Sequence, residues 1–163
     1  MECLGRATSL DDSTNVPNYI HPPTLEAAIE VANNLRPEDR SEIVEGHGED
    51  PLQLLVESVW AEGTVYFTVP NGKAAGMAGV EENGMIWMLC TPAIAEYPVT
   101  FAREAKRFVD SRNEPLLWNA VDKRNAVHVK LLRFLGFKFL QEFEYGPNKL
   151  TFIEFCKING RTN

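Results

Sequence analysis

The sequence contains little cysteine, no long apolar run and none of the common signal segments. Its three cysteines, Cys3, Cys90 and Cys156, are far apart and form no C-x-x-C pair. An odd and dispersed set predicts reduced thiols rather than a disulfide framework or a zinc site, so we expect no metal. No stretch reaches the ~20 apolar residues of a membrane span, and the first residues lack the basic start and apolar middle of a secretory signal. Membrane insertion is therefore not expected.

Basic residues are also too few for one large class of function. The chain has 16 Lys and Arg against 23 Asp and Glu, which gives a formal net charge of −7. Holding nucleic acid by phosphate neutralisation requires an excess of basic side chains, so direct nucleic-acid binding is not expected. A hydrophobic fraction of 44% in 163 residues is typical of one globular core.

Composition divides the chain into an arm, a domain and a tail. Residues 1–24 are rich in Ser, Thr, Asn, Asp and Pro, and they predict an extended N-terminal arm. Residues 25–157 predict a single domain, and residues 158–163 a short tail. The arm has too few apolar residues to form its own core, so we expect it to contact another protein chain. Its apolar anchors are Leu4, Val16, Tyr19 and Ile20.

The first half of the domain predicts helices followed by a β-meander. Apolar residues at helical spacing predict a helix over 25–35, a short helix from Pro37 and a third from Pro51. Short β-type runs then alternate with the turn signals Pro70-Asn71-Gly72 and Asn83-Gly84, which predict three antiparallel strands. The third run is apolar almost throughout and predicts a central strand covered on both faces. The three runs are residues 64–69, 73–81 and 85–91.

The second half predicts a mixed sheet of the α/β class. A helix from Pro98 separates the third strand from a buried strand over 116–121, and this βαβ order predicts that the two strands are parallel neighbours. We expect them to diverge at their carboxyl ends. A helix from Asn125 and a closing hairpin, 137–143 with 150–156, complete the domain.

This order of elements, with Asn119, Asn125 and the stretch LLRFLGFKFLQEF, resembles the Gcn5-related N-acetyltransferase fold, that is, the acyl-CoA N-acyltransferase fold. The segments TPAIAEYPVTFAREAKRFVD, LLWNAVDKRNAVHVKLLRFLGFKF and EYGPNKLTFIEF are also similar to the internal virion protein A family of short-tailed phages, itself regarded as acyltransferase-like. The second resemblance covers roughly residues 35–157 and implies a phage virion or assembly protein, an internal core or head-tail component. We then expect location in the virion, and in the host cytoplasm during assembly, with other virion proteins bound by the arm.

Two departures from the acetyltransferase pattern predict a fold used for docking rather than catalysis. The family's glycine-rich pyrophosphate turn is replaced by TPAIAEYP at residues 91–98, which has no glycine, two prolines without N–H groups, and Glu96. The position of the family's tyrosine acid is Leu132. We therefore expect no bound cofactor, and enzymatic activity stays uncertain. The alternative is an active N-acetyltransferase that uses acetyl-CoA on a protein or a small amine.

An active enzyme would use a definite set of residues. Glu81 and Glu82 would be base candidates and Tyr97 an acid candidate, with Tyr145 a further possible acid. The residues that would hold the cofactor are Leu89, Thr91, Arg103, Asn119 and Asn125.

Each of these has a structural alternative that the sequence leaves open. The two glutamates can be turn residues and Arg103 part of a solvated face. Asn119 can bond backbone inside a strand, and Asn125 can be a helix N-cap. His47, in the stretch HGED, is interpreted as part of a turn and cap rather than a metal site, and His128 as a core residue.

Overall fold

The computed structural model describes residues 17–159, which form seven strands and six helices. The strands are β1 (Ile20–His21), β2 (Val65–Thr68), β3 (Ala74–Val80), β4 (Ile86–Cys90), β5 (Leu116–Asp122), β6 (Lys138–Tyr145) and β7 (Leu150–Ile158). The helices are α1 (Leu25–Asn33), α2 (Pro37–Ser41), α3 (Pro51–Ser58), α4 (Ala93–Glu96), α5 (Pro98–Asp110) and α6 (Ala126–Phe134). A π-helical segment, Glu42–His47, continues α2.

The predicted meander is confirmed, and it carries one strand more than predicted. Strands β2, β3 and β4 pair antiparallel, and β1 adds to β2 with Ile20 opposite Phe67. Ile20 also packs against the core, so this end of the predicted arm is an edge strand of the chain's own sheet. Leu4 and Val16 lie outside the described residues, and contact of the arm with another chain stays a prediction.

Strand β4 is covered on both faces, as its composition predicts. Ile86, Met88 and Cys90 face one core cluster, which contains residues of α5 and of the C-terminal sheet. Trp87 and Leu89 face the other cluster, which contains residues of α1 and α3. This alternation places two layers of helix on opposite faces of the same strand.

Strands β4 and β5 are parallel where they meet, and they meet only at their amino ends. A single parallel bridge joins Met85 to Trp118, and the Trp118 N–H donates to the Gly84 carbonyl at 3.1 Å. Beyond that bridge the strands separate, and β5 continues into a second sheet with the order β5-β7-β6, all antiparallel. The predicted parallel direction and divergence are therefore confirmed, but the strands belong to two antiparallel sheets joined by one bridge rather than to one mixed sheet.

The segment between β4 and α5 is more ordered than the sequence suggests. It contains the short helix α4, whose first turn is fixed by the Thr91 hydroxyl through a bond from the Ala93 N–H at 3.3 Å. Pro98 then begins α5 at its first position, where a missing N–H costs no hydrogen bond. Among the described residues, no helix is long and apolar enough to cross a bilayer.

Candidate functional site

A narrow cavity lies in the gap between the divergent strands. It has a volume of about 120 Å³ and is bordered by Met88 of β4 and by Asn119 and Ala120 of β5. Leu131 and Leu132 of α6 contribute on one side of the sheet, and Ile43 and His47 on the other. The gap, which we call the slot, therefore has mainly apolar walls drawn from both helical layers.

The backbone of Met88 presents an unpaired donor and acceptor to the slot. In an antiparallel pair, hydrogen-bonded and non-hydrogen-bonded positions alternate. The Thr91 N–H bonds the Ala75 carbonyl, so Ile86, Met88 and Cys90 direct their backbone groups away from β3 and toward β5. Among the described residues, this edge of β4 has no strand pairing beyond the bridge of Met85 with Trp118, which leaves the N–H and C=O of Met88 without a ladder partner.

The other groups along this edge of β4 have partners within the chain. The Ile86 carbonyl accepts a hydrogen bond from Asn119 Nδ2 at 2.7 Å. At Cys90 the N–H donates to Asp39 Oδ2 at 3.0 Å, and the C=O accepts from the Arg36 N–H at 2.9 Å. Between the Ile86 carbonyl and Cys90, the open position of the edge is therefore Met88.

Two carboxylates one helical turn apart bond the separated strand ends. Asp39 bonds β4 at Cys90, and Glu42 Oε1 accepts a hydrogen bond from the Asp122 N–H of β5 at 2.6 Å. Both acids are buried, and Glu42 also lines the slot. Asp39 and Glu42, which belong to one helical segment, thereby bond both strands at the carboxyl-terminal end of the gap.

Asp39 is the centre of a buried polar cluster. Its carboxylate accepts from Asn125 Nδ2 at 2.8 Å and lies 3.4 Å from Arg36 Nη1 and 3.3 Å from His128 Nε2. Asp39, Cys90 and His128 bring potential metal ligands within 4.8 Å of one another. The adjacent guanidinium of Arg36 already supplies the positive charge that the carboxylate needs, which favours a protein ion pair over a bound cation.

Burial shifts the ionisation of several groups around the slot. Loss of hydration raises the pKa of Glu42 to about 8, opposed by its hydrogen bond from the Asp122 backbone. Burial also raises the pKa of the Cys90 thiol. Burial lowers the pKa of His128, opposed by the charge of Asp39. At neutral pH Glu42 is therefore protonated and His128 is neutral.

A second and larger cavity adjoins the slot. Its volume is about 830 Å³, and it shares six wall residues with the slot. The shared residues are Ile43, His47, Leu54, Trp87, Asn119 and Ala120. The two spaces therefore meet at one junction between the α2–α3 region and the strands β4 and β5.

His47 lies at that junction and was not recognised from the sequence. Its ring is half-buried and edge-on to Tyr145 and Phe152, with centroid distances of 5.2 and 5.5 Å. Burial lowers its pKa, opposed by Glu49, so the imidazole is neutral and can accept a proton. The stretch HGED resembles an ordinary turn in the sequence. The position of His47 at the junction becomes evident from its contacts with Tyr145 and Phe152, which are distant in sequence.

The predicted catalytic residues fall in different places. Glu81 and Glu82 are both exposed, and of the two Glu81 lines the larger cavity whereas Glu82 lines neither cavity. Tyr97 packs against the core near α5 and also lines neither cavity. Tyr145, the further acid candidate, lines the larger cavity beside His47.

Leu89 and Asn119, two of the predicted cofactor residues, line the slot. The Thr91 hydroxyl instead donates to the Ala74 carbonyl at 2.9 Å, and Arg103 is exposed on α5. Asn125 precedes α6 but does not cap it, because its amide bonds Asp39 and Arg36. Asn125 therefore occupies the N-cap position without a capping bond from its side chain, and the backbone-bonding interpretation of Asn119 is confirmed.

The position of Glu96 in the sequence suggests a free carboxylate at the start of α5. In the structure this carboxylate is instead bonded by residues of another turn. Its carboxylate accepts a hydrogen bond from Asn71 Nδ2 at 2.9 Å and lies 3.4 Å from Lys73 Nζ. The turn between β2 and β3 therefore holds this negative charge. The first turn of α5 still offers backbone N–H groups without helical partners, and Arg103 follows within the next turn.

No family model and no curated protein sequence matches the chain, whereas solved structures match its fold. A ribosomal-protein-alanine N-acetyltransferase from Brucella melitensis has a TM-score of 0.63 at 14% identity, covering 85% of this chain and 98% of that one. The protein yncA from Salmonella typhimurium, solved with its cofactor acetyl-CoA, has a TM-score of 0.63 at 11% identity, covering 90% and 97%. A spermidine N-acetyltransferase from Vibrio cholerae, in complex with CoA and spermine, has a TM-score of 0.60 at 13% identity, covering 85% and 94%.

These similarities establish the acyl-CoA N-acyltransferase fold and correct the functional expectation. The matched structures are acetyltransferases, and nothing in the comparisons points to the internal virion protein A family or to a phage particle. The expected virion or assembly role is therefore wrong. Two of the neighbours are solved with acetyl-CoA or CoA.

Proposed function

We propose that this protein is an N-acyltransferase that transfers an acyl group, acetyl in the first instance, from acyl-CoA to an amine. The observation that carries the proposal is the unpaired backbone N–H and C=O of Met88 in the slot between β4 and β5. Backbone groups away from water require partners, and an extended chain bearing amides can supply both a donor and an acceptor. The pantetheine arm of coenzyme A has that character.

The residues of the slot fit such a ligand. When bound, coenzyme A would supply the acyl group as an activated thioester. Met88 would pair with an amide of the arm, while Ala120 and Leu132 would provide apolar contacts around it. Asn119 keeps the mouth of the slot at a fixed width, because its amide bonds the Ile86 carbonyl across the gap.

The phosphate end of the ligand would be held differently from the glycine-rich pattern. Backbone N–H groups in the first turn of α5 favour an anion, and this helix is 13 residues long. Arg103, exposed and without an ion pair among the described residues, would add a positive charge there. Because this end of the site offers few backbone N–H donors and one guanidinium, we expect weaker phosphate binding than a glycine-rich loop provides.

Two side chains at the junction can move the protons of the reaction. Neutral His47 can accept the proton that the amine nitrogen loses as its bond to the acyl carbon forms. Glu42, which lines the slot and holds a proton at neutral pH, can donate it to the departing sulfur. Glu42 thus replaces the tyrosine acid whose position is Leu132 in this chain.

The names of the structural neighbours support an amine acceptor. Two of them are named for acetylation of spermidine and of the alanine of a ribosomal protein. Both acceptors react through nitrogen, and the larger cavity beside the slot provides space for such a group.

The proposal is tested by blocking the slot. Ala120→Phe fills the wall shared by the two cavities, so we expect loss of acetyl-CoA binding in isothermal titration calorimetry and loss of thiol release from acetyl-CoA in the presence of amines. The matched control is Ala126→Phe, which adds the same ring at an exposed position on α6. Unchanged thermal unfolding of both variants verifies folding. Failure of the wild-type protein to bind acetyl-CoA, or equal binding by Ala120→Phe, contradicts the proposal.

A further inference from the structure

The larger cavity has walls that combine negative charge with aromatic rings. Five carboxylates border it, and Lys and Arg are absent from its lining among the described residues. The acidic residues are Glu49, Glu57, Glu62, Glu81 and Glu154. The aromatic residues are Trp87, Trp118, Phe143, Tyr145 and Phe152. Acids and aromatic rings together, in one concave space, are the surroundings that an organic cation prefers.

These carboxylates lack counter-ions within the described part of the chain. None of the five takes part in a salt bridge there. Gln53 Nε2 donates to Glu57 at 3.0 Å, and Gln141 Nε2 donates to Glu154 at 3.0 Å, but both donors are neutral. Among the described lining residues, His47 is the only basic side chain, and burial lowers its pKa. The negative charge of the cavity is therefore uncompensated.

The aromatic part of the wall is held in place by contacts within the chain. Tyr145 and Phe152 pack edge to face at 5.3 Å, and both contact His47. The Trp118 indole is fixed by its Nε1–H bond to the Asn83 carbonyl at 3.0 Å. Fixed rings lower the ordering cost of binding a cation, because little side-chain freedom is lost.

We infer that this cavity selects an acceptor with at least two positive charges, a linear diamine or polyamine. One amine would lie at His47, beside the slot, and the other charged group would lie among the carboxylates and rings. An amine of equal length that has no charge at its other end, or a carboxylate there, would lose the interaction with the carboxylates and rings. The inference rests on the proposed function for the reaction at His47, whereas the preference of the cavity for a dication can be measured separately.

Three probes of equal chain length test this preference by binding alone. Isothermal titration of the full chain, without acetyl-CoA, uses 1,6-diaminohexane, hexylamine and 6-aminohexanoate. We expect the diamine to bind about tenfold more tightly than hexylamine, and 6-aminohexanoate to bind most weakly. Added salt should reduce the difference, because the carboxylates lie largely at exposed positions. Equal affinity for the three probes overturns the inference.

Charge-removing variants locate the effect in the cavity. Glu81→Gln combined with Glu154→Gln should weaken diamine binding about tenfold while leaving hexylamine binding nearly unchanged. Glu82→Gln is the matched control, since Glu82 adjoins Glu81 in sequence but lines neither cavity. Circular dichroism verifies folding of each variant. Equal weakening by the Glu82 control overturns the assignment to this cavity.

Turnover separates failure of the inference from failure of the proposed function. Acetyl transfer to hexylamine with the same kcat/KM as to 1,6-diaminohexane overturns the preference for a dication but supports the acyltransferase. Tight and charge-dependent diamine binding without any acetyl transfer supports the preference and contradicts the proposed activity.

Discussion

The carboxylate of Asp39 accepts a hydrogen bond from the backbone N–H of Cys90, with an oxygen-to-nitrogen distance of 3.0 Å. The bond joins a helix in the first quarter of the chain to the carboxyl end of β4. Asp39 also binds Asn125, which follows β5. One buried side chain therefore ties together both sides of the gap in the sheet.

Asp39→Ala should strongly destabilise the protein. The substitution removes the buried carboxylate that pairs with Arg36, leaving the half-exposed Glu38 as its partner, and it leaves the Cys90 N–H without an acceptor. Removing one partner of a buried ion pair costs about 3 to 5 kcal/mol in the free energy of unfolding. Urea unfolding of the purified variant measures this loss.

Asp110→Ala is the control for Asp39→Ala. Asp110 is exposed and pairs with Lys106 and Lys157 on the surface, where ion pairs contribute at most about 1 kcal/mol. Similar losses in the two variants would show that the Asp39 cluster contributes no more than a surface pair does.

Glu42 should make stability depend on pH. Its pKa is raised from 4.5 to about 8 in the folded protein, so between those values the folded state holds a proton that the unfolded chain has released. The contribution is complete below pH 4.5 and is lost as the pH rises toward 8, with a slope of at most about 1.4 kcal/mol per pH unit. Glu42→Gln keeps a neutral acceptor for the Asp122 N–H and removes the titration.

Urea unfolding across this range of pH distinguishes the two proteins. We expect the free energy of unfolding of the wild-type protein to fall toward pH 8 and that of Glu42→Gln to fall much less. Glu26→Gln, at an exposed position on α1, should retain the wild-type slope. If the free energy of unfolding of Glu42→Gln depends on pH as steeply as that of the wild-type protein, a group other than Glu42 is responsible for the pH dependence.

His47→Gln should remove a proton acceptor from the reaction. If His47 accepts the amine proton, kcat falls about 100-fold in the variant. The wild-type rate should decrease as the pH falls through a value below 6.5, because burial lowers the pKa of His47 and protonation blocks the acceptor. That acidic limb should be absent from the residual activity of the variant.

The comparison for His47 is His21→Gln. His21 lies in the edge strand β1, where its ring nitrogen is 2.8 Å from Thr68 Oγ1, and it lines neither cavity. We expect a wild-type rate and pH profile for this variant. A retained acidic limb in His47→Gln would assign the proton transfer to another group.

The parts of the fold that could be predicted from the sequence are those encoded locally. The turn at Asn83-Gly84 follows from residues that favour a tight turn, and Gly84 has a φ of +88° there. The coverage of β4 on both faces follows from its continuous apolar run. The parallel pairing of β4 and β5 follows from the intervening helix, which the sequence also contains.

The features that could not be predicted depend on contacts between distant residues. Asp39 is 51 positions from Cys90, and Glu42 is 80 positions from Asp122. Nothing near either acid in the sequence distinguishes it from the exposed acids of a helix. His47 was missed for the same reason, because its aromatic partners belong to the C-terminal hairpin. The virion role was wrong because it was inferred from a resemblance of short segments that the comparisons with known proteins do not support.

Arg103→Gln should weaken binding of acetyl-CoA through its phosphates alone. Arg103 is exposed near the first turn of α5, where a phosphate would also meet backbone N–H groups. Because water screens an exposed charge, we expect the Kd to rise only about fivefold, and to rise less at high salt. Calorimetry with S-acetylpantetheine, which lacks the diphosphate, should show no difference between variant and wild type.

Arg107→Gln is the control, because Arg107 lies 3.5 Å from Glu104 and is already paired. Equal weakening by both substitutions would indicate general electrostatic attraction, and weakening toward S-acetylpantetheine would place Arg103 beside the arm rather than the phosphates.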